Sequence, residues 1–141
     1  MFKKILVPID IQKPGPAAAI LKAAGNLAEQ NDCVLHVMTV MPGYGMPIVA
    51  SYFPADAKQS AKQELQEKLL KLVKKNIQRP ASVSVEEGKR AEEILKVAKR
   101  RKMDLILIGC HKHSKLEEAL LGSCGTKLAQ RADCSVLVIR G

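Results

Sequence analysis

The order of apolar runs and amphipathic stretches predicts an α/β fold, a parallel sheet covered by helices on both faces. Three observations carry it. Strand-like runs rich in Ile, Leu and Val recur near residues 5–9, 34–40, 105–108 and 136–139. Stretches with apolar residues at helical spacing separate them, and Pro, Gly and Asn-Asp punctuate the joints. With a shorter alternating run at 82–87, this gives five strands and four helices in alternation over a single domain, residues 1–141.

Residues 2–10 read as the first strand, since Ile5, Leu6, Val7 and Ile9 make a nearly unbroken β-forming run. Pro8 lacks an N–H and belongs near its end, which leaves Asp10 at the carboxyl tip. Pro14-Gly15-Pro16 presets a helix start, and Ala17, Ile20, Leu21, Ala24, Leu27 and Ala28 stripe that helix to about Gln30. Cys33 to Met41 is the second strand. Residues 42–54 hold three Pro, two Gly and three of the four aromatics, a connector long enough to be a lid, a partner surface or a tether. Residues 55–78 form a long helix striped by Leu65, Leu69, Leu72, Val73 and Ile77, and Pro80 stops it. Val83 and Val85 alternate with polar residues, which suits a strand near a sheet edge. Gly88 turns the chain into a third helix, striped by Ala91, Ile94, Leu95 and Ala98. A strand from Asp104 to Gly109, a helix after Ser123 and a last strand from Cys134 to Arg140 complete the set.

Composition narrows the function. With no Trp, two Tyr and two Phe in 141 residues, the core must be aliphatic. No run approaches the ~18 apolar residues that span a bilayer. Met1-Phe2-Lys3-Lys4-Ile5 leads straight into a strand with no signal-peptide pattern, so a cytoplasmic protein is expected. Cys33, Cys110, Cys124 and Cys134 form no Cys-x-x-Cys and read as free thiols. The net charge of +9 suits an anionic ligand, a nucleic acid, an acidic partner or simply a basic surface. No aromatics interleave with the Lys and Arg of the second and third helices, so direct nucleic-acid binding is not expected.

The stretch from Asp104 to Ser123 is the candidate site. A buried strand delivers Gly109, then the basic turn Cys110-His111-Lys112-His113, then Gly122-Ser123 before a helix. Helix starts offer unpaired N–H groups and positive partial charge to anions. In open parallel sheets, ligands bind at the carboxyl ends of strands where the strand order reverses. Should strands one and four be neighbours, Asp10 and Gly109 would meet there. Asp10 has a second reading, a carboxylate that caps the next turn.

Other chemistries are weaker. Gly122-Ser-Cys-Gly-Thr-Lys127 is not a P-loop, because its order is Gly-Thr-Lys rather than Gly-Lys-Ser/Thr. Cys110, His111 and His113 could ligate a soft metal, but Lys112 and Lys115 would repel it. Cys110 and Cys124 flank one loop and could pair, or one could carry a lowered pKa near Lys and a helix start; inert packing is the plainer reading. His36 reads as a satisfied core or edge residue. No second acid stands out to position water or a metal ion as efficient hydrolysis requires, so catalysis beyond slow, incidental hydrolysis is not expected.

Lys4-Ile5-Leu6-Val7-Pro8-Ile9-Asp10, Glu87-Gly88, Asp104-Leu-Ile-Leu-Ile-Gly109, Leu121-Gly122-Ser123 and Ala132-Asp133-Cys134-Ser135-Val136-Leu137-Val138-Ile139-Arg140 together resemble the universal stress protein family over nearly the whole chain. The details look most like its small single-domain subclass of F and G type. The resemblance implies a Rossmann-like or flavodoxin-like sheet of order 3-2-1-4-5 and a homodimer through the last strand. It also implies ATP or another adenine nucleotide as ligand, with or without Mg2+, in a stress-response regulator. Pro8 would line the pocket, Asp10 would contact the adenosine part, and Val40 would offer backbone to the adenine. Ile108, Gly109 and His111 would border ribose and phosphates, which Gly122, Ser123 and the Cys124 backbone would hold. The family signature has a glycine where this chain has Lys112. Lysine could supply charge to phosphate or could close the site, since glycine alone adopts positive φ freely. The alternative is therefore a dimeric interaction protein with a degenerate phosphate loop. Cys124-Gly125 also replaces a small apolar residue and a hydroxyl, so one phosphate donor is missing unless Thr126 replaces it.

Overall fold

The computed structural model describes residues 2–42, 55–110 and 122–140. The expected connector over Tyr44–Phe53 and the turn bearing His111, Lys112 and His113 lie outside the described residues. In chain order the elements are β1 (Lys4–Pro8), α1 (Pro14–Asn31), β2 (Val34–Pro42), α2 (Ala55–Asn76), β3 (Ala81–Gly88), α3 (Arg90–Arg100), β4 (Leu105–Cys110), α4 (Gly122–Arg131) and β5 (Ser135–Arg140).

All neighbouring strands are parallel and the sheet order is β3-β2-β1-β4-β5. The order reverses beside β1, which pairs with β2 on one side and β4 on the other. Successive strand residues face opposite sides of a sheet, so a strand covered on both faces must be apolar throughout. Ile5, Val7, Leu35, Val37, Leu105 and Leu107 pack on one face with Leu21 and Ala24 of α1 and Leu69 and Val73 of α2. Leu6, Met38, Ile106 and Ile108 pack on the other with Ile94 and Val97 of α3 and Leu128 of α4. The unbroken apolar runs of β1 and β4 therefore reflect burial from two sides.

Asp104 fixes the amino ends of these two strands. Its carboxylate accepts from the backbone N–H of Lys3 at 2.9 Å and of Lys4 at 3.1 Å. Its own N–H donates to the Lys4 carbonyl at 3.0 Å. At the other end, the Ile9 N–H donates to the Met38 carbonyl at 2.9 Å and the Thr39 hydroxyl to the Ile9 carbonyl at 3.0 Å. The chain is thus held along β2 as far as the residue before Asp10. Gly88 turns the chain into α3 at φ +141°, where a Cβ would also stand 2.7 Å from Glu93 Oε1.

His36 is fully buried, as the satisfied core histidine expected, and lies between two hydroxyls of β3. Nδ1 is 2.6 Å from Ser82 Oγ and Nε2 is 2.8 Å from Ser84 Oγ. The Ser82 hydroxyl also points to the Leu35 carbonyl at 3.5 Å. That arrangement favours a proton on Nδ1, with Nε2 accepting from Ser84. Burial, reinforced by Arg101 and Arg100 and opposed by Glu86, lowers its pKa to about 4.

Candidate functional site

The carboxyl ends of β1 and β4 open on a crevice of about 370 Å³. Pro8 and Asp10 follow from β1, Ile108, Gly109 and Cys110 from β4, and Gly122, Ser123, Cys124 and Gly125 from the start of α4. The residues that the sequence placed at two strand tips and one helix start therefore line one cleft. Lys13, Pro16 and Arg90 line it as well, and Ala17, Ile20, Ile94 and Leu128 supply apolar wall.

Asp10 lies two residues beyond the end of β1, half-buried. Its Oδ1 accepts from the Gln12 N–H at 3.0 Å, and the Lys13 N–H donates to its carbonyl at 3.1 Å. The turn-capping reading of this residue holds, since the carboxylate organises the turn into α1, and Asp10 also lines the crevice. Its turn leaves Oδ2 without a hydrogen bond among the described residues.

Gly122 opens α4 at φ +83°, a left-handed conformation that glycine adopts without strain. The first turn of α4 holds no acid, so nothing in that turn neutralises its exposed N–H groups. Of the two alternatives for the missing donor, the geometry does not favour Thr126: its hydroxyl donates back to the Gly122 carbonyl at 2.8 Å, and Thr126 is not on the lining. Val40 is not on the lining either. It pairs in the ladder with Glu86, and its side chain packs against the core cluster beneath α3 and α4.

Lys13 and Arg90 are the site residues that sequence reasoning missed. They are the N-cap residue of α1 and the first residue of α3, and both are exposed. A cation at a helix start opposes the macrodipole. That local mismatch was the available signal, but only the fold brings the two helix starts to one cleft.

No disulfide joins cysteines among the described residues. Burial raises the Cys124 pKa, although Arg90 and Lys127 act in the opposite direction. The lowered thiol pKa weighed for this loop is therefore not found at Cys124. Among the described residues no group of three or more His, Cys, Asp or Glu could hold a metal ion. No helix among them is long and apolar enough to cross a membrane.

A doubly covered parallel sheet with a crevice at its switch point defines a Rossmann-like α/β protein. The universal stress protein family model matches residues 1–140, and the chain belongs to that family. It is 33% identical to the universal stress protein MJ0531 of Methanocaldococcus jannaschii over 99% of this chain and 83% of the relative. It is 32% identical to YxiE of Bacillus subtilis over 99% of this chain and all of the relative. Among solved structures, MJ0577 superposes with a TM-score of 0.78 at 24% identity, covering 100% of this chain and 97% of the other. A universal stress protein in complex with cAMP gives 0.68 at 19% identity, covering 99% and 97%. The Archaeoglobus fulgidus protein in complex with dAMP gives 0.63 at 20% identity, covering 98% of each chain. These structural likenesses speak to the fold.

Proposed function

We propose that this chain binds an adenine nucleotide in the crevice between β1 and β4 and acts in the cytoplasm as a dimeric, nucleotide-responsive regulator. The observation that carries this reading is the convergence of Asp10, Gly109 and the acid-free start of α4 on one cleft with two cations. In it Asp10 accepts hydrogen bonds from the adenosine part, with Pro8 and Ile108 as apolar wall. Gly109 and the amides of Gly122, Ser123 and Cys124 take phosphate oxygens, and Lys13 and Arg90 add charge. The solved relatives named with cAMP and dAMP support an adenine ligand. Asp10 is the one carboxylate on the described lining, a poor set for positioning both metal and water, so any hydrolysis is slow and incidental.

Isothermal titration with AMP, ADP and ATP, with and without Mg2+, tests the reading. Saturable binding with a Kd in the micromolar range, about −8 kcal/mol at 1 μM, is expected. No heat up to about 1 mM ligand would instead favour the interaction protein with a degenerate loop.

The dimer reading rests on β5. It is an edge strand, and Leu137 is 37% exposed on it between the half-buried Val136 and Val138. An apolar edge of this kind is a template for pairing with another strand. Sedimentation should show a dimer that Leu137→Glu shifts to monomer. An unchanged sedimentation coefficient would remove β5 as the interface.

A further inference from the structure

At the opposite end of the sheet, α3 and α4 enclose a second groove of about 330 Å³ with their C-terminal turns. Its floor is apolar: Leu95 and Ala98 of α3, Met103 before β4, and Ala132 and Cys134 before β5. Its rim is basic, with Lys99, Lys102 and Arg131 against the single acid Asp133. We propose that this groove docks an acidic segment of a partner protein, with an apolar side chain seated between the two helix ends.

Two observations argue that the rim is more than helix termination. Cations in the last turn suit the macrodipole, which accounts for Lys99, Arg100 and Arg131. Arg101 and Lys102 continue the basic run past the last turn. Lys102 does so at φ +53°, at a helix end where glycine is the common residue for such a conformation. Secondly, Asp133 is the one acid on the described lining, and other acids of this half of the sheet are engaged elsewhere. Glu86 pairs with Arg100, Glu93 with Lys96, and the Asp104 carboxylate serves the amides of Lys3 and Lys4. Lys99, Arg101, Lys102 and Arg131 form no ion pair among the described residues. Clustered like charges repel one another, and an acidic partner relieves that repulsion.

The floor decides the partner class. It offers no aromatic residue on which a base could stack, which disfavours nucleic acid. A concave cleft with an apolar bottom suits a protruding side chain such as Leu or Phe. The groove and the crevice proposed for the nucleotide share no lining residue, so its occupancy is tested separately.

The probe is a fluorescein-labelled peptide, Glu-Asp-Glu-Leu-Phe-Glu-Asp-Glu, followed by anisotropy at low salt. Saturation with a Kd of roughly 10–100 μM is expected. The double variant K102E/R131E should weaken it at least about tenfold. Replacing the central Leu-Phe by Ser-Ser should weaken it by a similar factor. With the unaltered protein, bound peptide should slow iodoacetamide labelling of Cys134, mapped by mass spectrometry, and leave Cys124 unaffected. Equal binding by the Ser-Ser peptide or by a decathymidylate strand would overturn the proposal, as would unprotected Cys134 at saturation. So would failure to saturate by about 1 mM.

Discussion

Reversing both cations at the crevice, Lys13→Glu with Arg90→Glu, should weaken ATP binding about a hundredfold, since each charge-assisted contact to phosphate carries an appreciable share of affinity. Both side chains are exposed, and neither enters an ion pair among the described residues. Their loss removes no packing from the core. Each sits where an acid would suit the helix better: Lys13 is the N-cap of α1, which has no side-chain cap, and Arg90 opens α3. The variant should therefore keep or slightly raise its melting temperature while it loses nucleotide, because glutamate complements a helix start. Adenosine affinity should change little, because the reversed charges act on phosphate. Titration calorimetry of the variant with ATP and adenosine, beside a thermal melt, reads all three. Undiminished ATP binding would remove Lys13 and Arg90 from the site.

The second large effect concerns acid. His36 has a pKa of about 4 in the fold and about 6.5 unfolded, so the unfolded chain binds the extra proton between these values. Stability from this group is complete above pH 6.5 and falls as pH drops towards 4, with a total loss of about 3 kcal/mol. The cause is local: the imidazole is fully buried between Ser82 and Ser84, and Arg101 and Arg100 disfavour its cation while Glu86 opposes them only in part. Urea unfolding at half-unit steps from pH 7 to 4 measures it. His36→Gln keeps one donor and one acceptor without titrating, so its curve should lie flatter across that window. Parallel curves for the two proteins would show that other groups set the acid limit.

Burial from two sides made the core strands legible. Ile5-Leu6-Val7 and Leu105-Ile-Leu-Ile108 are apolar at every position, a pattern that suits a central parallel strand and hardly anything else. β3 was readable as an edge because polar residues alternate there, and it lies at the edge. Within the crevice, Gly109 and Gly122-Ser123 stood out because glycines beside donors at a strand end and a helix start have a narrow range of uses. The sequence leaves Thr126 open because a hydroxyl one turn into a helix can bond the carbonyl four residues back as readily as a ligand. For Val40, a place near a strand end does not say whether the cleft extends past the neighbouring strand.

The sequence alone determined what depends on neighbours along the chain. Apolar runs set the strands, helical stripes set the covering faces, and glycines marked the turns. The tertiary structure decided what depends on residues far apart in the chain. Only parallel pairing of β1 with β4, anchored by Asp104 some hundred residues from Lys3 and Lys4, brings Asp10 to Gly109. Only the return direction of α1 and α3 carries Lys13 and Arg90 to that same cleft and leaves Lys99 and Lys102 at the other end. Periodicity is a short-range property of the chain, whereas a crevice is made where distant segments end side by side.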